Sequence, residues 1–483
     1  MVLDAEGRRI TPPRARRFMI VVAVAVAIFV VILGVIVYVE RPSTDASAST
    51  FHRGEWLAPP ETLLSSSMRA RPVPGWSVRV TDLGLPESAI FTDTELAHES
   101  KSLVGSLGKN TYFMARSTTD SRRWLVGLDV HSGAPLFAPV GIDPASDFMK
   151  CFINGPDHAL CVADGTHDGK TVTTAWVIDT RTGEVVFTGP TDLHLTPGSG
   201  SHLNQVGSYV VAEIEGQGLS GVGPRAETTW FIPNAKKVGP TDWDADTAAP
   251  LLAVAQDPTK GPDHTVVFSV DDGTVFTPDL GEGRIPESAV VYPQGFAIRA
   301  AGNHGASPRA PVLFFDDAGN RIGESDIQGA LSDQSMVLPR IESAPGYTVF
   351  GANGAGLIQL PGEGLGPDAV LIGHRLYAPE SEWDGPEKVR RWRQFDLRTG
   401  EEGTACRPNM QWYIANDGQI GLFETSQHEK AGASYFGMDL TTCEKLWTVP
   451  VNWESFHRLW RIDDTLVEIS DDGRELHSLV APA

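Results

Sequence analysis

Four cysteines, Cys151, Cys161, Cys406 and Cys443, are the side chains of this 483-residue sequence whose placement most directly suggests a chemical bond. Cys151 and Cys161 lie symmetrically about Pro156, so a hairpin turning at Asn154-Gly155-Pro156-Asp157 would set them opposite each other on an antiparallel pair, within bridging reach. Cys406 and Cys443 then form a second disulfide by exclusion, joining two consecutive repeats. A metal site is the alternative use of such residues, but it needs His or further Cys at short spacing, and neither C-x-x-C nor H-x-x-x-H occurs near any of the four. Asp242-Trp243-Asp244-Ala245-Asp246 begins with the oxygen spacing of a calcium loop, yet Thr247 stands where Gly is needed and Ala253 where a bidentate Glu belongs, which leaves a solvated acidic loop. Asp271-Asp272, Asp316-Asp317 and Asp471-Asp472 adjoin Gly turns and read as turn formers rather than catalytic carboxylates. Gly105-Ser106-Leu107-Gly108-Lys109 resembles part of a phosphate loop, but Asn110 replaces the Ser/Thr and no strand-to-helix context follows, so a turn between two strands fits better. The 13 His are scattered, and no hydrolase signature is present. The expectation is a chain without catalytic residues, metal ligands or cofactor.

The elements that would position these residues are short apolar runs separated by Gly, Asp, Asn and Pro, with no sustained amphipathic helix after residue 75; the class is all-β. A unit recurs in them: a β-type run ending in Asp, a turn with Gly four residues later, and a third run. Its clearest copies are Trp124 to Phe137, Trp176 to Phe187, Trp392 to Gly403 and Tyr435 to Trp447, with Asp129, Asp179, Asp396 and Asp439 in register. Gly133, Gly183 and Gly400 follow three of them, and Cys443 takes that place in the fourth. Such an Asp accepts hydrogen bonds from the turn's N–H groups, the Gly supplies positive φ, and the hydrophobe beyond, Phe137, Phe187 or Trp447, packs on a neighbouring sheet. Weaker copies occur at 266–276, 312–322, 349–360 and 466–479, and a degenerate one at Thr228 to Pro240. Trp124, Trp176, Trp230 and Trp392 are expected to pack between repeats, a carbohydrate platform being the alternative.

Repeats of this length read as propeller blades of about 40–50 residues. The clear copies are 50 and 43 residues apart, and the 408 residues from Trp76 to the C-terminus divided by eight give 51, so about eight four-stranded blades are expected, seven being possible. Nine candidate hairpins can be marked, some of them read as lying within a blade. The last unit lacks an outer strand, which Trp76-Ser77-Val78-Arg79-Val80 could supply, closing the ring. In Val177-Ile178-Asp179-Thr180-Arg181-Thr182-Gly183 and Phe395-Asp396-Leu397-Arg398-Thr399-Gly400 the chain resembles the PQQ-like (quinoprotein-type) β-propeller repeat proteins. That resemblance covers most of residues 100–480 and implies either a quinoprotein dehydrogenase, holding PQQ and calcium, or a non-enzymatic scaffold. No adjacent Cys-Cys pair and no complete tryptophan-docking motif is present, the nearest being Cys443-Glu444-Lys445-Leu446-Trp447, which favours the non-enzymatic branch.

Location follows from the first residues. Phe18 to Val39 is 22 residues without a charge, which as a helix spans about 33 Å and suits a bilayer core. Five Arg in residues 1–17 against Asp4 and Glu6 place that basic tail in the cytoplasm. A cleaved signal peptide, using Ala46-Ser47-Ala48, is the alternative, disfavoured by the length of the apolar run. Residues 40–75, rich in Ser, Thr, Pro and Ala, read as a flexible stalk and 76–483 as the propeller, outside the membrane. Of the net charge of −22, the first 17 residues carry +3, leaving −25 beyond them, and a body so acidic repels nucleic acid. The combined expectation is a single-pass protein of a bacterial cell envelope whose propeller binds an envelope protein or a ligand. A PQQ-type oxidoreductase or other propeller enzyme, or an envelope-assembly or secretion partner, are the alternatives.

Overall fold

Turn-forming Asp and Gly cut the apolar runs into short strands, and in the computed structural model these strands build nine separate antiparallel sheets. The structure describes residues 51, 53–91, 102–144, 149–167, 170–195, 201–241, 247–257, 265–302, 310–327, 329–332, 337–343, 346–361, 369–380, 391–425, 434–450 and 459–483. The sheets follow one another as blades: blade 1 at 89–142, blade 2 at 149–191, blade 3 at 201–233, blade 4 at 237–276, blade 5 at 284–325, blade 6 at 330–361, blade 7 at 370–396, blade 8 at 413–450 and blade 9 at 459–480. Blade 7 has three strands, and blade 1 has a fifth, Leu103–Leu107, alongside Asn110–Ser117.

The blade number is thus nine, not eight or seven. Dividing the 408 residues by eight gave 51 per blade, whereas nine gives about 45, inside the range of about 40–50 for a four-stranded blade. The turn after the third strand contains a left-handed residue in blades 1 to 8: Gly133, Gly183, Ala226, Gly273, Gly319, Gly354, Gly400 and Cys443, while Gly473 of blade 9 stands between its second and third strands. Consecutive members of the eight are 50 residues apart at most (Gly133 to Gly183) and 35 at least (Gly319 to Gly354). In blade 3 the position is Ala226, with φ 55° and no Asp ahead of it, which hid the turn. The degenerate copy at 228–240 instead runs from the outer strand of blade 3, Thr228–Pro233, into the first strand of blade 4, Lys237–Gly239.

Two features join consecutive blades. Each junction holds an apolar core made from both neighbours, for example Tyr112, Leu125 and Ile142 of blade 1 against Ile153, Cys161 and Ile178 of blade 2. At several junctions an aromatic ring from the preceding blade also lies on the turn glycine of the next. A Cβ on Gly183 would meet Phe137 at 2.6 Å, and one on Gly133 would meet Trp76 at 2.6 Å. The glycine therefore serves twice, for its φ near 70° and for the missing methyl group. Trp392 is fully buried, while Trp124, Trp176 and Trp230 pack against junction cores, as expected of inter-blade aromatics.

The ring closes as the sequence suggests. Strand Val73–Arg79 pairs antiparallel with Glu475–Val480 and becomes the outer strand of blade 9. Trp76 then reaches blade 1, its Nε1–H donating to Val130 O at 2.7 Å. The expected stalk at 40–75 is revised from Arg53 onward. Gly54 N–H donates to Gly356 O in blade 6, Leu64 N–H to Asn416 O in blade 8 and Ser65 N–H to Asp464 O in blade 9. Leu64 and Met68 are buried in the core between blades 8 and 9. Residues 53–72 are a strap laid along blades 6 to 9, and the compact unit runs from His52 to Ala483. The expected membrane helix at 18–39 lies outside the described residues, as do Asp242 to Asp246; among the described residues no helix is long and apolar enough to cross a membrane.

Candidate functional site: the axial cavity

Five consecutive blades, 4 to 8, send residues toward a shared cavity of about 740 Å³. Its wall is mainly short aliphatic: Val238 and Val254 of blade 4, Val290 of blade 5, Leu338 and Val349 ahead of and within blade 6, and Leu371 of blade 7. The strap contributes Trp56, Pro59 and Glu61. The charged lining consists of Lys237, Arg340 and Glu61, together with His374. Glu61 accepts a hydrogen bond from Asn416 Nδ2 at 3.0 Å. Arg340, only 5% exposed, is held by Ser332 Oγ and Glu342 Oε1, each 3.0 Å from its Nη2, and its guanidinium lies 5.4 Å from the Tyr347 ring centre. Burial holds the His374 pKa below its ordinary value, and Arg375 and Arg398 add to the effect. The imidazole is therefore neutral near pH 7. Among the described lining residues there is one carboxylate, Glu61, itself engaged; the rest is an apolar enclosure with a few polar groups, the usual composition of a ligand site.

Residues singled out from sequence lie elsewhere, one set per blade. Asp129 Oδ1 accepts from His131 N–H and Ser132 N–H, Asp179 Oδ1 from Arg181 and Thr182, Asp396 Oδ1 from Arg398, and Asp439 Oδ1 from Thr441 and Thr442. These are turn residues in four different blades and do not converge. The Arg398 guanidinium holds Asp396 down to about 2. Of Gly105 to Lys109, the first three end strand Leu103–Leu107 and Gly108-Lys109 makes the turn to Asn110–Ser117, with Lys109 Nζ 2.8 Å from Asp129 Oδ2. Asp272, Asp316 and Asp472 likewise accept turn N–H groups. Cys151 and Cys161 are cross-strand partners in blade 2 at disulfide distance, Cα to Cα 4.0 Å. Cys406 and Cys443 form the second such pair, 5.2 Å apart at Cα, linking blades 7 and 8.

The family model of the conjugation-associated 9-bladed β-propeller domain matches residues 48–482. The chain belongs to that family. A protein of Mycolicibacterium smegmatis (strain MKD8), itself described as uncharacterized, is 77% identical over 483 residues, covering all of both chains. Among solved structures the computationally designed Ika8 protein is 11% identical, with 66% of this chain and 95% of that chain covered and a TM-score of 0.34. A eukaryotic initiation factor is 15% identical, with 73% and 90% covered and a TM-score of 0.33.

Sequence reasoning missed the cavity residues of this nine-bladed ring. Lys237, Arg340 and His374 come one from each of three blades, so no local spacing announces them. It also missed a cluster at the ring's seam, where His131 Nε2 of blade 1 lies 2.9 Å from Asp464 Oδ1 and 3.5 Å from Asp463 Oδ2 of blade 9. On the rim, the outer strands of blades 2 to 5 each expose an apolar residue: Val186, Phe231, Val275 and Ile322.

Proposed function

We propose that this propeller is a membrane-tethered binding scaffold on the outer side of a bacterial cell membrane, and that it assists a conjugative transfer machine as a non-catalytic partner. The observation that carries the reading is the cavity shared by blades 4 to 8, whose wall is mainly aliphatic in blades 4 to 7 and whose one carboxylate among the described residues, Glu61, is bonded to Asn416. Such a site suits holding a ligand or segment better than acid–base work. The exposed apolar residues on the outer strands of four consecutive blades offer contacts for a protein partner. The association with conjugation comes from the family's description. The tether rests on the uncharged run Phe18 to Val39 behind five Arg, and the acidity beyond it favours a protein or ligand over DNA as the contact. The Asp-to-Gly turns shared with PQQ-like repeats are explained by turn geometry alone and require no quinone.

In vivo photo-crosslinking from Phe231 and Val186 of the full chain, followed by mass spectrometry and fractionation, tests this. The expected result is an envelope protein recovered from conjugation-competent cells, with the chain in the membrane fraction and its C-terminal part open to external protease. A cytosolic chain, or no crosslinked protein above background, overturns it.

A further inference from the structure

We infer that the axial cavity binds a ligand with an aliphatic body and one anionic group, an alkyl carboxylate in its simplest form, with Arg340 as the anion contact. The inference rests on the binding-scaffold reading and names the ligand class of that same site. About 740 Å³ is ample for a small organic molecule, and walls of Val238, Val254, Val290 and Leu338 would take an alkyl chain without asking it for hydrogen bonds. The described lining carries two cationic side chains, Lys237 and Arg340, and one carboxylate, Glu61, with Glu342 pairing to Arg340 at 3.0 Å.

Arg340 is the decisive residue. Its side chain is 6% exposed, and its Nε is buried without a hydrogen-bond partner among the described residues. Ser332, Glu342 and the Tyr347 ring fix the guanidinium in place where Arg340 lines the cavity. An anion within the cavity would meet that held guanidinium and add a charge-assisted bond. His374 Nε2, also lining the cavity, is a second buried nitrogen without a hydrogen-bond partner, 3.6 Å from Asp396 Oδ2.

The test is equilibrium binding of radiolabelled dodecanoate to the full chain in nanodiscs, with empty nanodiscs as the blank. Dodecanol removes the charge while keeping the body, and butyrate keeps the charge while removing the body. Saturable binding of about one dodecanoate per chain is expected, at least tenfold weaker for dodecanol, for butyrate and for Arg340→Gln, and abolished by Val290→Phe, which fills the cavity. No saturable binding, equal binding of dodecanoate and dodecanol, or full binding by a folded Arg340→Gln chain overturns the inference. Should Arg340→Gln fail to fold, the dodecanol comparison on the unaltered chain decides. Crosslinks retained without dodecanoate binding would sink this inference and leave the scaffold reading standing, whereas dodecanoate binding without crosslinks would do the reverse.

Discussion

The junction between blades 9 and 1 and the junction between blades 7 and 8 solve one problem by opposite means. At the first, the two ends of the chain meet without a covalent link: Val73–Arg79 completes blade 9, Trp76 covers Gly133 of blade 1, and His131 reaches Asp464. At the second, blade 7 has no regular fourth strand among the described residues; its strand Trp392–Asp396 is met there by isolated bridges at Cys406 and Glu402. There Cys406 is joined to Cys443, which takes the left-handed turn position held by glycine in six other blades. A ring blade that has its strand relies on hydrogen bonds and an aromatic contact, while a blade that lacks it uses a covalent staple and accepts a strained residue.

The largest effect that would break this contrast is removal of residues 53–79. Without the closing strand and strap, blade 9 exposes an open edge and two cores lose members, so no cooperative thermal transition is expected; a sharp melt in the truncated chain would show that the ring does not depend on its seam. Replacing Cys406 and Cys443 by Ser should cost about 3–4 kcal/mol in denaturant unfolding, given the length of chain between them. Trp76→Ala should cost about 2 kcal/mol, less than for a fully buried Trp because this ring is only partly covered. Hydrogen exchange separates the two: the Trp76 variant should open blades 9 and 1, the cysteine variant blades 7 and 8. A smaller effect sharpens the account of strain. The pair Cys406→Ser with Cys443→Gly should recover about 1 kcal/mol of the cysteine loss, since glycine accepts a φ of 60° freely.

The smallest effect concerns pH. Because burial depresses the His374 pKa, the unfolded chain binds a proton there before the folded one does, so stability falls as pH drops below about 6.5, the ordinary His value, toward the lowered folded one. His374→Gln should flatten part of the fall in Tm between pH 7.5 and 5.5. Asp396 acts lower: its stabilising contribution is complete above about pH 4 and is lost as pH falls toward its folded value of about 2.

Much of this architecture is legible in the residues themselves. The Asp129, Asp179, Asp396 and Asp439 turns repeat because each blade needs the same reversal, and the closing strand shows itself because the last repeat is one strand short. Blade 3 escapes notice because Ala226 makes its turn without the Asp and Gly that mark the others. The strap escapes because Trp56 packs on the core between blades 6 and 7 and Leu64 and Met68 on that between blades 8 and 9, a pattern with no period. The cavity is least legible of all: Lys237, Arg340 and His374 stand in blades 4, 6 and 7, separated in sequence by whole repeats, and only the packing of successive blades brings them around one space.

The closing strand also sets a timetable. Val73–Arg79 is made long before its partner Glu475–Val480: Ser77 pairs with His477, 400 residues later in the chain. At about 5–20 residues per second the early strand waits some tens of seconds, and through that interval blade 1 lacks the neighbour that covers Phe91, Phe113 and Val126. Loop closure over such a length adds little entropy beyond that of a loop half as long, so the delay is one of synthesis rather than of thermodynamics. A ring fastened by its two ends has no finished intermediate, and exposure of that first apolar face is the hazard any cell producing it must manage.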